Sequence, residues 1–153
     1  MVELANVNCP GQIVVSGSQA GVNGVVQRVK EAGGKRAIPL EVSGPFHSSM
    51  MKAAADRLAD ELKSVTFNAP AVPVIVNVTA APVTDPEEIR ELLVRQVYSP
   101  VLWQDSIEWL IADGVDTFVE IGSGSVLAGL IRKIDKTVKV ININTLESVQ
   151  AVL

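Results

Sequence analysis

His47 is the only histidine of the chain, and imidazole is the side chain best suited to move protons near neutral pH. It lies within VSGPFHSSMM, residues 42–51, between a strand-like run and a helix-like run. A junction of this kind can hold a side chain rigidly and leave its ring open to a cleft, as a general base requires. The segment therefore predicts a catalytic base at His47, with a packed, non-catalytic imidazole as the alternative.

No nucleophile to match this base is evident in the sequence. A serine raised on a strand-to-helix elbow has glycine at both second neighbours, and Ser123 and Ser125, which stand in the glycine-rich stretch, lack those glycines. Cys9 precedes Pro10 and has no base beside it in sequence, so we expect an inert thiol. The residues that could do chemistry amount to half an active site.

Alternating strand-like and helical segments predict an α/β fold with a largely parallel sheet. In the first part, the runs 2–7, 12–15 and 36–42 are typical of strands. Apolar residues at helical spacing predict a helix over 19–32, ended by Gly33-Gly34. This order, β-β-α-β, is most of a small ferredoxin-like unit without its opening elements.

The second part begins at Gly44-Pro45. Residues 51–65 have one apolar helical face, which places His47 at or just before a helix N-terminus, where the helix dipole favours neutral imidazole. Asp85-Pro86 predicts a capped helix start. Apolar runs predict strands at 72–78, 117–121 and 138–143.

Composition excludes several classes of function. A chain of 153 residues can form one core, and 48% hydrophobic residues exclude a disordered chain. A net charge of −4 argues against nucleic-acid binding. The sequence has no run long enough to span a membrane, no recognisable signal peptide and no Cys/His cluster for a metal. We therefore expect a cytoplasmic protein without a metal.

Two loops allow a binding function as well as a structural one. The turn GSGSVL, residues 122–127, follows a strand and opens a helix, but Leu127 stands where a dinucleotide-binding turn needs its third glycine, which disfavours a nicotinamide oxidoreductase. The loop NVNCPGQ, residues 6–12, is rich in turn-forming residues. Its amide side chains, Asn8 and Gln12 among them, could also hydrogen-bond a pantetheine-like chain.

Over nearly its whole length the sequence resembles the C-terminal half of malonyl-CoA:acyl carrier protein transacylases, which belong to the acyltransferases of fatty-acid and polyketide synthesis. The resemblance rests on the order and spacing of seven segments, which are NCPGQIVVSG (8–17), AGGKRAIPL (32–40), VSGPFH (42–47), TFNAP (66–70), PVIVNV (73–78), QVYSPVLW (96–103) and FVEIG (118–122).

The resemblance implies an α/β-hydrolase-like core, residues 44–153, and most of a ferredoxin-like subdomain, residues 1–43. It implies two-step transfer of malonyl from coenzyme A, through a serine acyl-enzyme, to the phosphopantetheine thiol of acyl carrier protein, with no cofactor besides the thioester substrate. His47 would be the general base, oriented by the backbone carbonyl of Gln96. Phe46 would favour malonyl over branched units, and Asn8 and Gln12 would lie along the coenzyme A path.

Two departures from the family pattern bear on function. The turn at 122–125 reads GSGS where the family has Gly-Pro-Gly-Lys. The family's N-terminal half, with its nucleophile elbow, oxyanion segment and carboxylate-binding arginine, has no counterpart here, so we expect that half as a partner and no turnover by the isolated chain. The alternative is a non-catalytic module that binds acyl carrier protein, for which the basic residues are Lys30, Lys35, Arg36, Arg132, Lys133 and Lys136.

Overall fold

The computed structural model describes residues 1–151 and has the predicted α/β architecture, but its strands lie in three small sheets with two antiparallel pairings rather than in one largely parallel sheet. Its strands are β1 (Val2–Cys9), β2 (Gln12–Gly17), β3 (Val74–Val76), β4 (Ala81–Val83), β5 (Val101–Leu102), β6 (Thr117–Ile121) and β7 (Lys139–Ile143). Its α-helices are α1 (Gln19–Arg28), α2 (Lys52–Leu62), α3 (Pro86–Gln96), α4 (Trp103–Ala112), α5 (Val126–Ile134) and α6 (Leu146–Gln150), and a 3-10 turn, Ser49–Met51, precedes α2.

The strands form three small sheets. In the first, β1 pairs antiparallel with β2 and parallel with β5, in the order β2-β1-β5. The second is the antiparallel pair β3-β4, and the third is the parallel pair β6-β7. Because β5 belongs to the second half of the chain, the first sheet joins residues on both sides of position 43 by backbone hydrogen bonds.

Capping, turn-forming and apolar residues within or beside each segment explain why most of the helices and strands form where they do. The Asp85 carboxylate accepts the backbone N–H of Glu88 at 2.9 Å and Pro86 opens α3, which confirms the predicted helix start. The β1–β2 turn contains Gly11, whose φ of 77° is one that other residues rarely adopt. Amphipathic α5 buries Ala128, Leu130 and Ile131 and packs on β1, β6 and β7.

Three sequence predictions are corrected. The strand expected at 36–42 has no regular structure; Ile38 is 61% exposed, and residues 36–42 are paired with none of the strands described within residues 1–151. The strand expected at 72–78 shortens to Val74–Val76 and pairs with β4, not with β6. Helix α1 ends at Arg28 rather than at residue 32. The β-β-α-β order therefore stops at β-β-α.

Within residues 1–151, no helix combines the length and the apolar character needed to cross a membrane.

Candidate active site

The ring of His47 contacts the end of helix α3. Its Nδ1 atom lies 3.0 Å from the backbone oxygen of Gln96 and 3.2 Å from that of Ser99. Gln96 is the last residue of α3, and the final carbonyls of a helix have no partner within the helix. The helix end therefore offers acceptors to a side chain that arrives from a distant segment.

These contacts decide which ring nitrogen carries the proton. Both neighbours of Nδ1 are carbonyl oxygens, which can only accept, so in neutral His47 the proton lies on Nδ1. The Nε2 atom then presents a lone pair. A histidine in this state can accept a proton from a nucleophile placed at Nε2.

The backbone around His47 is held tightly. His47 has a φ of 58°, in the left-handed region that non-glycine residues seldom occupy. The next residue, Ser48, is fully buried, and its Oγ donates to the carbonyl oxygen of Pro45 at 2.6 Å. That bond closes the loop across His47 and fixes the direction in which the ring leaves the backbone.

Glu3, on β1, anchors the same loop from the other side. Its carboxylate accepts the backbone N–H of Ser49 at 2.9 Å and also the Ser49 hydroxyl. The hydroxyl bond is the largest cause that holds the pKa of Glu3 below its ordinary value of 4.5. Neither Glu3 nor Ser99 was identified from the sequence, since both reach the site through non-local contacts that leave no local pattern.

The other predicted site residues lie at two places. Phe46 adjoins His47 and is 46% exposed, so its ring is available to a ligand. Asn8 and Gln12 flank the turn of the β1–β2 hairpin, and Asn8 lies five residues beyond Glu3, about 17 Å along an extended strand. The hydrogen bonds described for residues 1–151 place Gln12 against Cys9 (3.7 Å) and Lys133 (3.5 Å), not against His47.

The carboxylate of Glu120 holds the glycine-rich turn that follows β6. Glu120 accepts the backbone N–H groups of Leu127 and Ala128, at 3.1 and 2.9 Å, and the side-chain amide of Asn142 at 2.8 Å. The bond from Ala128 is the largest cause that lowers the pKa of Glu120. The carboxylate thus occupies the helix N-terminal amides that a nucleotide phosphate would use, which argues further against the nicotinamide interpretation.

The six basic residues considered for a carrier-protein surface all have exposed side chains in the structure. Lys133, at the C-terminal end of α5, reaches the Gln12 amide oxygen, so one of these charges lies beside the hairpin turn. Arg132 donates to the carbonyl oxygen of Val140 at 3.3 Å.

Among residues 1–151, the hydrogen bonds described for the His47 ring are those of Nδ1. Enzymes in which a histidine activates a nucleophile hold the ring by this same atom. The acyl transferase domain family matches residues 1–151, and the chain belongs to that family. The malonyl CoA-acyl carrier protein transacylase of Bacillus subtilis is 50% identical over 150 residues, which are 98% of this chain and 47% of that protein.

Solved structures agree with this assignment. The acyl-carrier-protein-S-malonyltransferase of Bartonella henselae superposes with a TM-score of 0.96 at 46% identity, covering 100% of this chain and 49% of the other. A malonyl-transacylase in complex with its type II PKS acyl-carrier protein gives 0.95 at 40% identity, covering 100% and 50%. The resemblance found in the sequence is confirmed, and the chain spans about half the length of the curated relatives it matches.

Proposed function

We propose that this chain supplies the general-base half of a malonyl-CoA:acyl carrier protein transacylase, with His47 as the base. The observation that carries the proposal is the pair of carbonyl oxygens at His47 Nδ1, 3.0 and 3.2 Å away, which leaves Nε2 as the proton acceptor. The names and structures of the relatives supply the substrate class. Because the chain spans half of those relatives, the reaction requires the other half.

In the proposed reaction a serine of the other half gives its proton to His47 Nε2 as its Oγ attacks the malonyl carbonyl carbon. The carbon–sulfur bond to coenzyme A then breaks, and the imidazolium returns the proton to the departing thiolate. In the second step the carrier-protein thiol loses its proton to His47 and attacks the acyl-serine, whose oxygen is reprotonated as it leaves. Base catalysis of this kind contributes about 10²- to 10⁴-fold in rate.

The remaining site residues take supporting roles in this proposal. Phe46, next to the base, would limit the space beside the malonyl carbon, while Asn8 and Gln12 would contact the pantetheine chain. Residues 1–43 would belong to a ferredoxin-like subdomain and residues 44–153 to an α/β-hydrolase-like core once the other half is present.

Complementation tests the proposal. The chain is co-expressed with the half of the Bacillus subtilis transacylase that it does not match, and malonyl transfer from coenzyme A to acyl carrier protein is measured. We expect transfer by the pair, none by this chain alone, and a loss of at least 100-fold in His47→Ala and His47→Asn. Asparagine tolerates the left-handed backbone of position 47, so His47→Asn separates loss of the base from loss of the loop conformation. Undiminished transfer by a folded His47→Asn pair would exclude His47 as the base.

A non-catalytic module that binds acyl carrier protein is the second candidate, favoured by the exposed basic side chains and by Lys133 beside the hairpin turn. Its test is the double charge reversal Lys35→Glu and Arg36→Glu. We expect weaker binding to acyl carrier protein by calorimetry at low salt, and an unchanged affinity would remove these residues from the interface. A chain that binds the carrier protein but shows no transfer in the complemented pair would favour this candidate.

A further inference from the structure

Glu3 ties the loop that carries His47 to strand β1. Its carboxylate accepts the backbone N–H of Ser49 at 2.9 Å and also the Ser49 hydroxyl, and Ser49 stands two residues after His47. The bond from Ser48 to the carbonyl oxygen of Pro45 lies within the loop, so it shapes the loop without fixing its place in the fold. The Glu3 bonds fix that place, because β1 belongs to the first sheet.

The acceptors of the His47 ring are attached to the same strand. Ser99, whose carbonyl oxygen lies 3.2 Å from Nδ1, precedes Val101 of β5 by two residues. Val101 pairs in parallel with Asn6 of β1, which is three residues after Glu3. Because parallel strands start at the same edge of a sheet, Glu3 and Ser99 both lie where the β1–β5 pairing begins. The contacts therefore run from β1 through the loop and the His47 ring to β5, and back to β1.

The backbone of His47 needs such support. Its φ of 58° is in the left-handed region, and a non-glycine residue stays there only where the surrounding contacts hold it. Without the bonds from Ser49 to Glu3, the loop would be free to relax and to turn the ring away from its acceptors. A displacement of about 1 Å in a reacting group can lower a rate about 100-fold.

A second contact connects the same two segments. The Nζ atom of Lys52, at the start of α2, lies 5.9 Å from the centre of the Tyr98 ring, and Tyr98 stands between the two acceptor residues, Gln96 and Ser99. A cation over an aromatic ring at an exposed site is a weak interaction, whereas a carboxylate that accepts two hydrogen bonds is a strong one. The Glu3 bonds are therefore the main connection.

We propose that Glu3 is a positioning residue for the general base, and that through Ser49 it holds the ring of His47 against the carbonyl oxygens at the end of α3. This inference deepens the proposed function and rests on it for the reaction that the base performs. The side-chain bonds described for Glu3 within residues 1–151 go to Ser49, so Glu3 acts on the ring at one remove. Its loss should lower kcat and leave KM unchanged.

Two substitutions at position 3 separate position from charge. Glu3→Gln keeps the length of the side chain and one acceptor oxygen, whereas Glu3→Asp keeps the charge but is one methylene shorter. Malonyl transfer is measured for the pair formed with the unmatched half of the Bacillus subtilis transacylase. We expect kcat to fall about tenfold or more in Glu3→Ala and Glu3→Asp but less than about threefold in Glu3→Gln, with KM within about twofold throughout. A loss in Glu3→Gln as large as that in Glu3→Asp would overturn the proposal.

Asp135 provides the matched control. It accepts the backbone N–H and the hydroxyl of Thr137, both at 2.6 Å, which is the same pair of bonds in the turn between α5 and β7. Asp135→Ala should lower the urea midpoint, as Glu3→Ala should, but leave kcat within about twofold of wild type. Equal losses of kcat in the two variants would reduce Glu3 to a contribution to stability and contradict the proposal.

A double-mutant cycle tests the route through Ser49. Ser49→Ala removes the hydroxyl bond and keeps the N–H bond, so it should lower kcat less than Glu3→Ala does. Because both substitutions act on one connection, the double variant should lose no more kcat than Glu3→Ala alone. Losses that multiply would show that Glu3 acts on the base by another route, which would overturn the proposal.

The His47 ring gives a readout that needs no turnover. In the chain alone, Glu3→Ala should raise the fraction of neutral ring protonated on Nε2, measured by long-range ¹H–¹⁵N correlation, and Asp135→Ala should not. If the wild-type pair shows no transfer but Glu3→Ala still changes the ring, the proposed function fails and the hold of Glu3 on the ring stands. Transfer at the wild-type rate by the Glu3→Ala pair refutes the positioning role and keeps the proposed function.

Discussion

The Nδ1 atom of His47 lies 3.0 Å from the backbone oxygen of Gln96, although 49 residues separate the two in sequence. The acceptor is a helix-terminal carbonyl, which no side-chain substitution can remove. The ring of His47 is thus oriented by the position where α3 ends. A substitution that moves the end of α3 relative to the loop at residues 45–48 should change the orientation of the His47 ring even where the rest of the fold stays the same.

The tautomer of His47 is the first testable consequence. We expect the neutral ring to carry its proton on Nδ1, since two carbonyl oxygens face that atom. Long-range ¹H–¹⁵N correlation spectra of the neutral ring will show it, and the signals need no assignment because the chain has one histidine. A neutral ring protonated on Nε2 would contradict the proposed orientation.

Ser48 gives a prediction about the loop itself. Ser48→Ala should lower the free energy of unfolding by about 1–2 kcal/mol, because the bond from the buried Ser48 hydroxyl to the carbonyl oxygen of Pro45 is lost. Urea denaturation measures this change, and the His47 ¹⁵N shifts should change with it. Ser64→Ala is the control, since the Ser64 hydroxyl makes the same type of bond, to Glu61, at an exposed site and its loss should cost less than about 0.5 kcal/mol.

Elements with local signals were predictable, and elements that depend on distant partners were not. The β1–β2 hairpin and the Asp85-capped helix follow from turn and cap residues next to them in sequence. The run at 36–42 has strand-like composition but is not paired with a strand within residues 1–151, so composition alone misassigned it. Strand β5, with two residues, is defined only by its pairing with β1.

The candidate site likewise contains residues that the sequence identified and residues that it did not. His47 was identifiable as the one imidazole of the chain, and the contact with Gln96 that the family resemblance implied is present at 3.0 Å. Ser99 contributes a backbone carbonyl to the site, and Glu3 accepts a hydrogen bond from Ser49, 46 residues away. Neither contact leaves a pattern in the sequence.

Glu3 should make stability depend on pH. Its folded-state pKa lies below 4.5, so its contribution is fully present above pH 4.5 and is lost as the pH falls through the folded pKa. The difference in unfolding free energy between wild type and Glu3→Gln should therefore shrink below pH 4.5. Urea denaturation between pH 3 and 7 measures it, with Glu61→Gln, exposed on α2, as the control. A difference that grows toward acid pH would contradict the assigned role.

Two glycines should respond to alanine with opposite signs. Gly11 has a φ of 77°, so Gly11→Ala should destabilise the chain by about 1–2 kcal/mol, although a Cβ there meets no atom within 4 Å. Gly24 lies inside α1, where a Cβ is equally unobstructed, and Gly24→Ala should stabilise by about 0.5–1 kcal/mol. Thermal unfolding followed by circular dichroism distinguishes the two signs. The same sign for both would mean that backbone conformation does not govern these positions.

Glu120 should couple the end of β6 to the start of α5 and to β7. Glu120→Gln keeps the shape of the side chain but replaces one acceptor oxygen with an amide donor, so it cannot accept from Leu127, Ala128 and Asn142 together. We expect a lower urea midpoint at pH 7. The difference in urea midpoint between wild type and Glu120→Gln should shrink below pH 4.5. The folded-state pKa of Glu120 is lowered, so the stability that its carboxylate contributes is lost as the carboxylate is protonated. A double-mutant cycle with Asn142→Ala isolates the side-chain bond at 2.8 Å, and additive effects of the two substitutions would show that this bond does not stabilise the β6–β7 pair.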